Sequence, residues 1–437
     1  MLAGVIRSSK TAWGRLWWLG LLLLFVGIVT NFGTAALRIP TLVPYPEAVD
    51  GASYYVGAWA MRHGVSPYVW TPEFLRLAGE EHSLPRLPTP PASPTPWVWM
   101  YQILTVFPYP VAAWIWLAIQ LAVMTYGTYL LAQVAGRPGW KTALVLLPFT
   151  VTFGSTFLNL TIGQNGVVVF LGALLLGRYL GHAARRGWAV AAWALAAGAK
   201  IYPLFWIVLL PFLKRWRLAV AMLATVILLF GMVALLEPDA DRDYWFNYLL
   251  KRSREVTGNV FVDDQSLSAR VEILGRTYRA GRYGLDIGPK GGQVWAPPWE
   301  ASDAVLKAVT VALIAGLGVI LVRTWMIKDR EPSGEGLLYL TVLFFLLPIP
   351  HMERYNHVAV LPAMAWLWQA GHRYRLLTVL AYCLVGLSRL NQLWAVIFAW
   401  PLGPLMTGTC MYAVLILGTG IVHRVRSLEL AKRHSMV

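Results

Sequence analysis

Charge is scarce in this chain. Only 13% of its 437 residues are Asp, Glu, Lys or Arg, against about 25% in an average soluble domain. A soluble protein of this length needs a polar skin that this composition cannot supply. Cysteine is rarer still: Cys383 and Cys410 are the only two. Both fall inside apolar runs, so neither a disulfide framework nor a thiolate metal site is expected. Intrinsic disorder, collagen and coiled coil are excluded on the same composition. What is abundant is hydrophobic: 57% of residues are apolar and the mean hydropathy is +0.56. The composition points to an all-α polytopic membrane protein, read as one integral membrane domain over 1–437.

The formal net charge of +16 suits nucleic acid only if the basic residues share one soluble face. They do not. They occur in short clusters between apolar runs, the pattern of the positive-inside rule, so no nucleic-acid partner is expected. The first apolar run extends from about Leu16 to Leu37, behind Arg7, Lys10 and Arg15. Thr34-Ala35-Ala36 is weakly cleavage-like, but the run is long for a signal peptide, and it reads as a retained helix. Eleven further runs lie near 109–134, 141–160, 166–183, 187–199, 201–213, 217–236, 302–326, 335–350, 355–370, 376–398 and 403–424. Together they predict about twelve transmembrane helices. Two places are ambiguous: 97–107 is apolar but short, and 187–213 is either one helix or two broken near Lys200 and Pro203. The broken version keeps the basic clusters on one side, and is preferred.

In that topology two polar loops, 38–96 and 237–301, reach the extracytoplasmic side. The Gly163-Gln164-Asn165 turn, the Lys200 break and the His351 region join them there. Short amphipathic helices are predicted near 51–63 and 71–82, lying on the membrane surface.

Five features carry chemistry. Lys200 is flanked by apolar helix on both sides; such a lysine is costly in lipid and either binds phosphate or snorkels to the interface. Pro203 beside it frees backbone N–H groups that suit an anion. Asp50, or Glu47 near it, is a carboxylate at the membrane surface. It is either a desolvated base with a raised pKa, or a solvated loop acid or helix cap. Gln164 and Asn165 offer amides to sugar or phosphate oxygens. His351, Arg354 and His357 lie in a polar interruption of two apolar runs, where the first two suit a phosphate; the His/Glu/His spacing fits no zinc pattern. Asp263 to Arg270 and three tryptophans mark the 237–301 loop, where aromatics stack on a sugar or anchor in headgroups.

Read together, these pieces resemble glycosyltransferase family 87, in the C-type superfamily of polytopic enzymes. The match is carried by Asp50 with Tyr54-Tyr55, Gly64-Val65-Ser66-Pro67-Tyr68 and Gly163-Gln164-Asn165. It continues through Lys200 with Tyr202 and Pro203, Gln265-Ser266-Leu267, and His351 to His357. Two departures stand out: Asp264 occupies a place usually held by Asn, and the late segment is poorer in Ser, Trp and His. The resemblance implies an inverting transfer, without nucleotide sugar, from a polyprenyl phosphate sugar to a glycolipid or glycan acceptor. It implies a multi-pass plasma-membrane enzyme working on the extracytoplasmic side, with Asp50 as catalytic base. Lys200, His351 and Arg354 would hold the donor phosphate. Glu47, Tyr54, Tyr55, Gln164, Asn165, Tyr202, Gln265, Ser266 and His357 would contact donor or acceptor. Besides donor and acceptor, the partners expected are membrane lipids. No cofactor or metal is expected. A lipid or solute transporter of the cell envelope is the alternative that broken helices and an intramembrane lysine also fit, and a scaffold subunit is a third.

Overall fold

The computed structural model describes residues 2–42, 49–82, 84, 88–181, 184–250, 264–279, 294–295, 297–327, 334–349 and 352–435. Glu47 and His351 lie outside the described residues.

The described chain is almost wholly helical. It begins with α1 (Leu2–Arg38), α2 (Val49–Arg62), α3 (Pro72–His82), α4 (Thr95–Tyr101) and α5 (Tyr109–Val134). It continues through α6 (Trp140–Thr152), α7 (Gly154–Ile162), α8 (Gly166–Leu180), α9 (Arg186–Ala199), α10 (Leu209–Phe212) and α11 (Trp216–Leu236). After the short α12 (Pro238–Arg242) come α13 (Leu267–Gly275), α14 (Asp303–Trp325) and α15 (Gly334–Phe345). The last are α16 (Leu361–Trp368), α17 (His372–Leu387), α18 (Asn391–Ile397), α19 (Leu402–Thr407) and α20 (Thr409–Ser435). Two-residue strands at Tyr278–Arg279 and Val294–Trp295 pair antiparallel.

Among the described residues, four helices are long and apolar enough to cross a bilayer: Trp18–Arg38 within α1, α5, α11 and α14. The pair α6 and α7, bent by 70°, makes a fifth if it is one span. On α1, α11 and α14 most of the spanning window is not buried inside the protein, whereas α5 is half buried. Leu228 and Leu235 on α11 are 72% and 85% exposed, and Val311 on α14 is 65% exposed. Such a surface suits hydrocarbon and would be unfavourable in water.

The interior is built from shorter pieces. α8 is buried along most of its length and packs on α9, α15 and α5. At 15 residues it is roughly 22 Å long at 1.5 Å per residue, too short to cross a bilayer core of about 30 Å. The 187–213 region is broken, as expected. α9 stops at Ala199, Lys200 is extended, and a 3₁₀ turn at Tyr202–Val208 follows. Likewise 97–107 is short: α4 passes into a 3₁₀ turn over Gln102–Val106.

Two expectations need correction. The run 141–160 reads as one helix, yet it breaks at Phe153. The break is stabilised from α1, where the Asn31 side chain accepts a hydrogen bond from Gly154 N at 2.7 Å. A backbone group freed in an apolar surrounding must be satisfied by the protein. A Cβ on Gly154 would lie 2.8 Å from the Val385 carbonyl oxygen, so glycine permits α17 to approach. The helix near 51–63 forms as α2 but is not a surface helix, because Gly51 to Ala58 are all buried. α4, the 102–106 turn and α5 cover it, and Pro67 and Pro91 pack down onto Gly57. α3, with Ala78 as its one fully buried residue, keeps the amphipathic character expected of both.

Candidate functional site

The turn between α7 and α8 is fixed on every side. Gly163 adopts φ +72° at the end of α7, a conformation glycine reaches without strain. Gln164 N donates to Asn159 O at 2.9 Å, and the Trp116 indole donates to Gly163 O at 2.9 Å. Gln120 donates its amide to Gln164 O. Asn159 ties the turn inward: its Oδ1 accepts from Gly166 N at 2.8 Å, and its Nδ2 donates to Tyr355 O at 2.6 Å. With the backbone held by these bonds, the Gln164 and Asn165 side chains have fixed directions.

Gln164 reaches α2. Its Nε2 donates to Asp50 Oδ2 at 2.7 Å, and its Oε1 accepts from the Tyr54 hydroxyl at 2.8 Å. Burial, reinforced by the negative charge of Asp50, pushes the Tyr54 phenol well above its usual range. Tyr54 therefore stays a hydrogen-bond donor at any working pH and orients the Gln164 amide. The charges of Glu353 and the phenol of Tyr248 also act on Tyr54, which brings both segments to this region.

Asn165 reaches the other way. Its Nδ2 donates to Ser93 Oγ at 2.8 Å and to Ala199 O at 2.9 Å. Ala199 ends α9, so Asn165 grips the backbone immediately before Lys200. Lys200 is 8% exposed, and its ammonium lies 5.0 Å from the Tyr355 ring centroid, a cation–π distance. One turn thus holds an acid through Gln164 and the chain beside a lysine through Asn165. The Asp50 side chain and the Ala199 backbone, far apart in sequence, are joined by adjacent residues.

Arg354 precedes Tyr355, whose carbonyl is held by Asn159. The Arg354 guanidinium donates to Ser388 O at 2.7 Å and lines a small recess with Arg38, Arg389 and Phe157. Arg389 donates to Thr34 Oγ1 at 2.7 Å and to Thr152 O at 3.2 Å, and stacks 4.8 Å from the Phe157 ring centroid. Three guanidiniums from distant parts of the chain therefore surround one recess.

The remaining expected site residues are buried in packing. The Tyr55 hydroxyl donates to Phe107 O at 2.8 Å, and Tyr202 packs on Trp206. Gln265 N donates to Met352 O at 2.8 Å, and its side chain bridges Thr407 O and Cys410 N. Ser266 caps α13 by accepting from Ala269 N. Asp264 pairs with Glu353 in an isolated antiparallel bridge, so the 264–266 and 352–355 segments support each other. His357 is fully buried, with Nδ1 3.3 Å from Glu353 O. Among the described residues no group of three His, Cys, Asp or Glu side chains is placed to hold a metal ion.

Sequence reasoning did not single out Ser93, Asn159, Tyr355, Arg38 or Arg389. One signal was present for Arg389, an arginine inside the apolar run 376–398. Ser93 and Asn159 carry no local signal, because their role is to hold a distant turn.

A substitution tests the turn. A Cβ on Gly166 would overlap the Asn159 carboxamide, which is already held by hydrogen bonds to Ser155 O and Tyr355 O. Gly166→Ala is expected to destabilise the protein by about 1–3 kcal/mol, read as a lowered unfolding temperature in detergent. An unchanged temperature would show that the turn is looser than these bonds imply.

The family model for glycosyltransferase family 87 matches residues 93–350, more than half of the chain. The match takes in Ser93, the Gly163–Gly166 turn, Lys200 and Gln265; Asp50 precedes it and Arg354 follows it. No curated protein and no solved structure matches. With its apolar helices and its match over that span, the chain belongs to glycosyltransferase family 87.

Proposed function

We propose that this protein transfers a glycosyl unit, mannose first among the candidates, from a polyprenyl phosphate sugar to a glycolipid or glycan acceptor. In this reading it is a plasma-membrane enzyme with a C-type fold of about twelve spans, and the reaction occurs on the extracytoplasmic side. Its sequence resembles the mycobacterial polyprenol-phosphate-mannose-dependent alpha-1,2-mannosyltransferase, which is why mannose is preferred. The observation that carries the proposal is the Gly163–Gly166 turn, bonded to Asp50 through Gln164 and to the chain at Lys200 through Asn165.

Asp50 takes the proton of the acceptor hydroxyl as its oxygen attacks the anomeric carbon from the face opposite the phosphate. The bond from that carbon to the phosphate oxygen breaks, and its electron pair leaves with the polyprenyl phosphate. The configuration is inverted. Charge develops on the departing phosphate, where fixed cations stabilise the transition state most. Lys200 supplies one; Arg354, with Arg38 and Arg389 beside it, and His351 supply others. The leaving group is a single phosphate, so protein cations suffice without a metal. Tyr54, Gln164 and Asn165 position the base and the sugar. Glu47, Tyr55, Tyr202, Gln265, Ser266 and His357 contact donor or acceptor in this scheme.

Purified protein supplied with polyprenyl phosphate mannose and a glycolipid acceptor is expected to release free polyprenyl phosphate in step with product. Movement of the lipid across a vesicle bilayer without transfer would replace the enzyme by a transporter. Gln164→Glu gives a second readout. It replaces an amide donor with a carboxylate beside Asp50, and two adjacent carboxylates resist ionising together. The acid limb of the pH–rate profile is expected to move to higher pH, with kcat lowered at neutral pH. An unshifted profile would remove Gln164 from contact with the base.

A further inference from the structure

A second cavity lies apart from the turn, between α1, α17 and α20. Its volume is about 660 Å³. Leu21 and Leu24 of α1 and Leu377 of α17 form its apolar walls. α1 and α17 run side by side in the same direction. Gly20 faces Leu376 and Gly27 faces Tyr382, while Asn31 bonds the Tyr382 carbonyl. The start of α17 therefore lies level with the part of α1 that precedes Gly20.

That end of the cavity is basic. His372, Arg373 and Arg375 come from the first turn of α17, and His423 comes from α20. Arg375 is steadied by Nε donating to Trp368 O at 3.1 Å, and His423 by the Tyr374 hydroxyl at 2.8 Å. Among the described residues no carboxylate lines the cavity. Beside it, Trp18, Leu22 and Phe25 of α1 are exposed, so the apolar walls continue into a lipid-facing surface. A basic rim at the end of a hydrocarbon-facing groove complements a phosphate joined to an acyl chain.

We propose that this cavity binds an anionic membrane phospholipid. One acyl chain lies along Leu24 and Leu377, and the phosphate lies over Arg373 and its basic neighbours. The site sits at the end of the α1–α17 pair remote from Asn31, Gly154 and Ser388. It is separate from the proposed donor site and does not depend on it.

The test uses the full chain in detergent, stripped of lipid and titrated with phosphatidylglycerol or phosphatidylcholine of identical acyl chains. Retention is read by native mass spectrometry. The wild type is expected to keep phosphatidylglycerol at least about tenfold better than phosphatidylcholine. The H372Q/R373Q variant is expected to lose that preference while keeping the size-exclusion profile of the wild type. Thr419→Trp, which fills the cavity, is expected to lower retention of both lipids. Equal retention of the two lipids by the wild type would overturn the proposal. So would a preference that survives both variants.

Discussion

Replacing Asp50 by Asn is expected to lower turnover by about 10²- to 10⁴-fold, the usual contribution of a positioned general base. Asparagine keeps an oxygen able to accept the hydrogen bond from Gln164 Nε2 that Asp50 Oδ2 now receives. The turn and the fold should therefore survive, and only the proton acceptor is removed. Donor binding should change little, because the proposed phosphate contacts lie on other elements. The measurement is kcat and KM for the donor on the same purified preparation. A fall in kcat with KM retained fits a base. Transfer at wild-type rate would remove Asp50 from the chemistry.

Lys200→Met is the second large effect. Methionine has nearly the length of lysine and packs well against an aromatic ring, so the contact with Tyr355 is largely kept. Unfolding temperature is measured on the same preparation. Catalysis is expected to fall by about 10²- to 10³-fold, the cost of removing one preorganised group from a developing negative charge. The two readouts separate the explanations. A lysine that only snorkels to the interface would give no loss of rate; a lysine that only holds the fold would give a loss of stability.

Parts of this molecule were legible in the sequence, and the physics says which. The helix end at Ala199 was legible because a lysine and a proline together oppose a continuous apolar helix. The Gly163 turn was legible because glycine and amides interrupt a hydrophobic run. The break at Phe153 was not. Thr150, Thr152, Gly154 and Ser155 around it are only weak helix breakers inside an apolar run, and what stabilises it is Asn31, more than a hundred positions earlier. The burial of α2 was also hidden. Its small residues Gly51, Ala52, Ser53, Gly57 and Ala58 read as a weakly amphipathic face, yet they admit close neighbours on all sides.

The site divides the same way. Asp50, Gln164, Asn165 and Lys200 could each be named from residue type and surroundings. Their connection could not, because it runs through side chains of one turn to two elements on either side of it in sequence. Arg354 was expected at the donor phosphate. Its guanidinium donates to Ser388 O and shares a recess with Arg38 and Arg389, an arrangement created by the packing of α1 and α17. Gln265 and Ser266 were expected at a ligand. In the structure they join the 264–275 segment to Met352 and to the start of α20, a task that chain-local patterns do not reveal.

The central claim is that Asp50 and Lys200 address one bound donor. A structure of the protein with a polyprenyl phosphate sugar tests it most directly. The account expects the phosphate within ion-pair reach of the Lys200 ammonium, and Asp50 on the opposite face of the anomeric carbon with room between for an acceptor hydroxyl. A donor whose sugar and phosphate both lie away from the Gln164–Asn165 turn would contradict it.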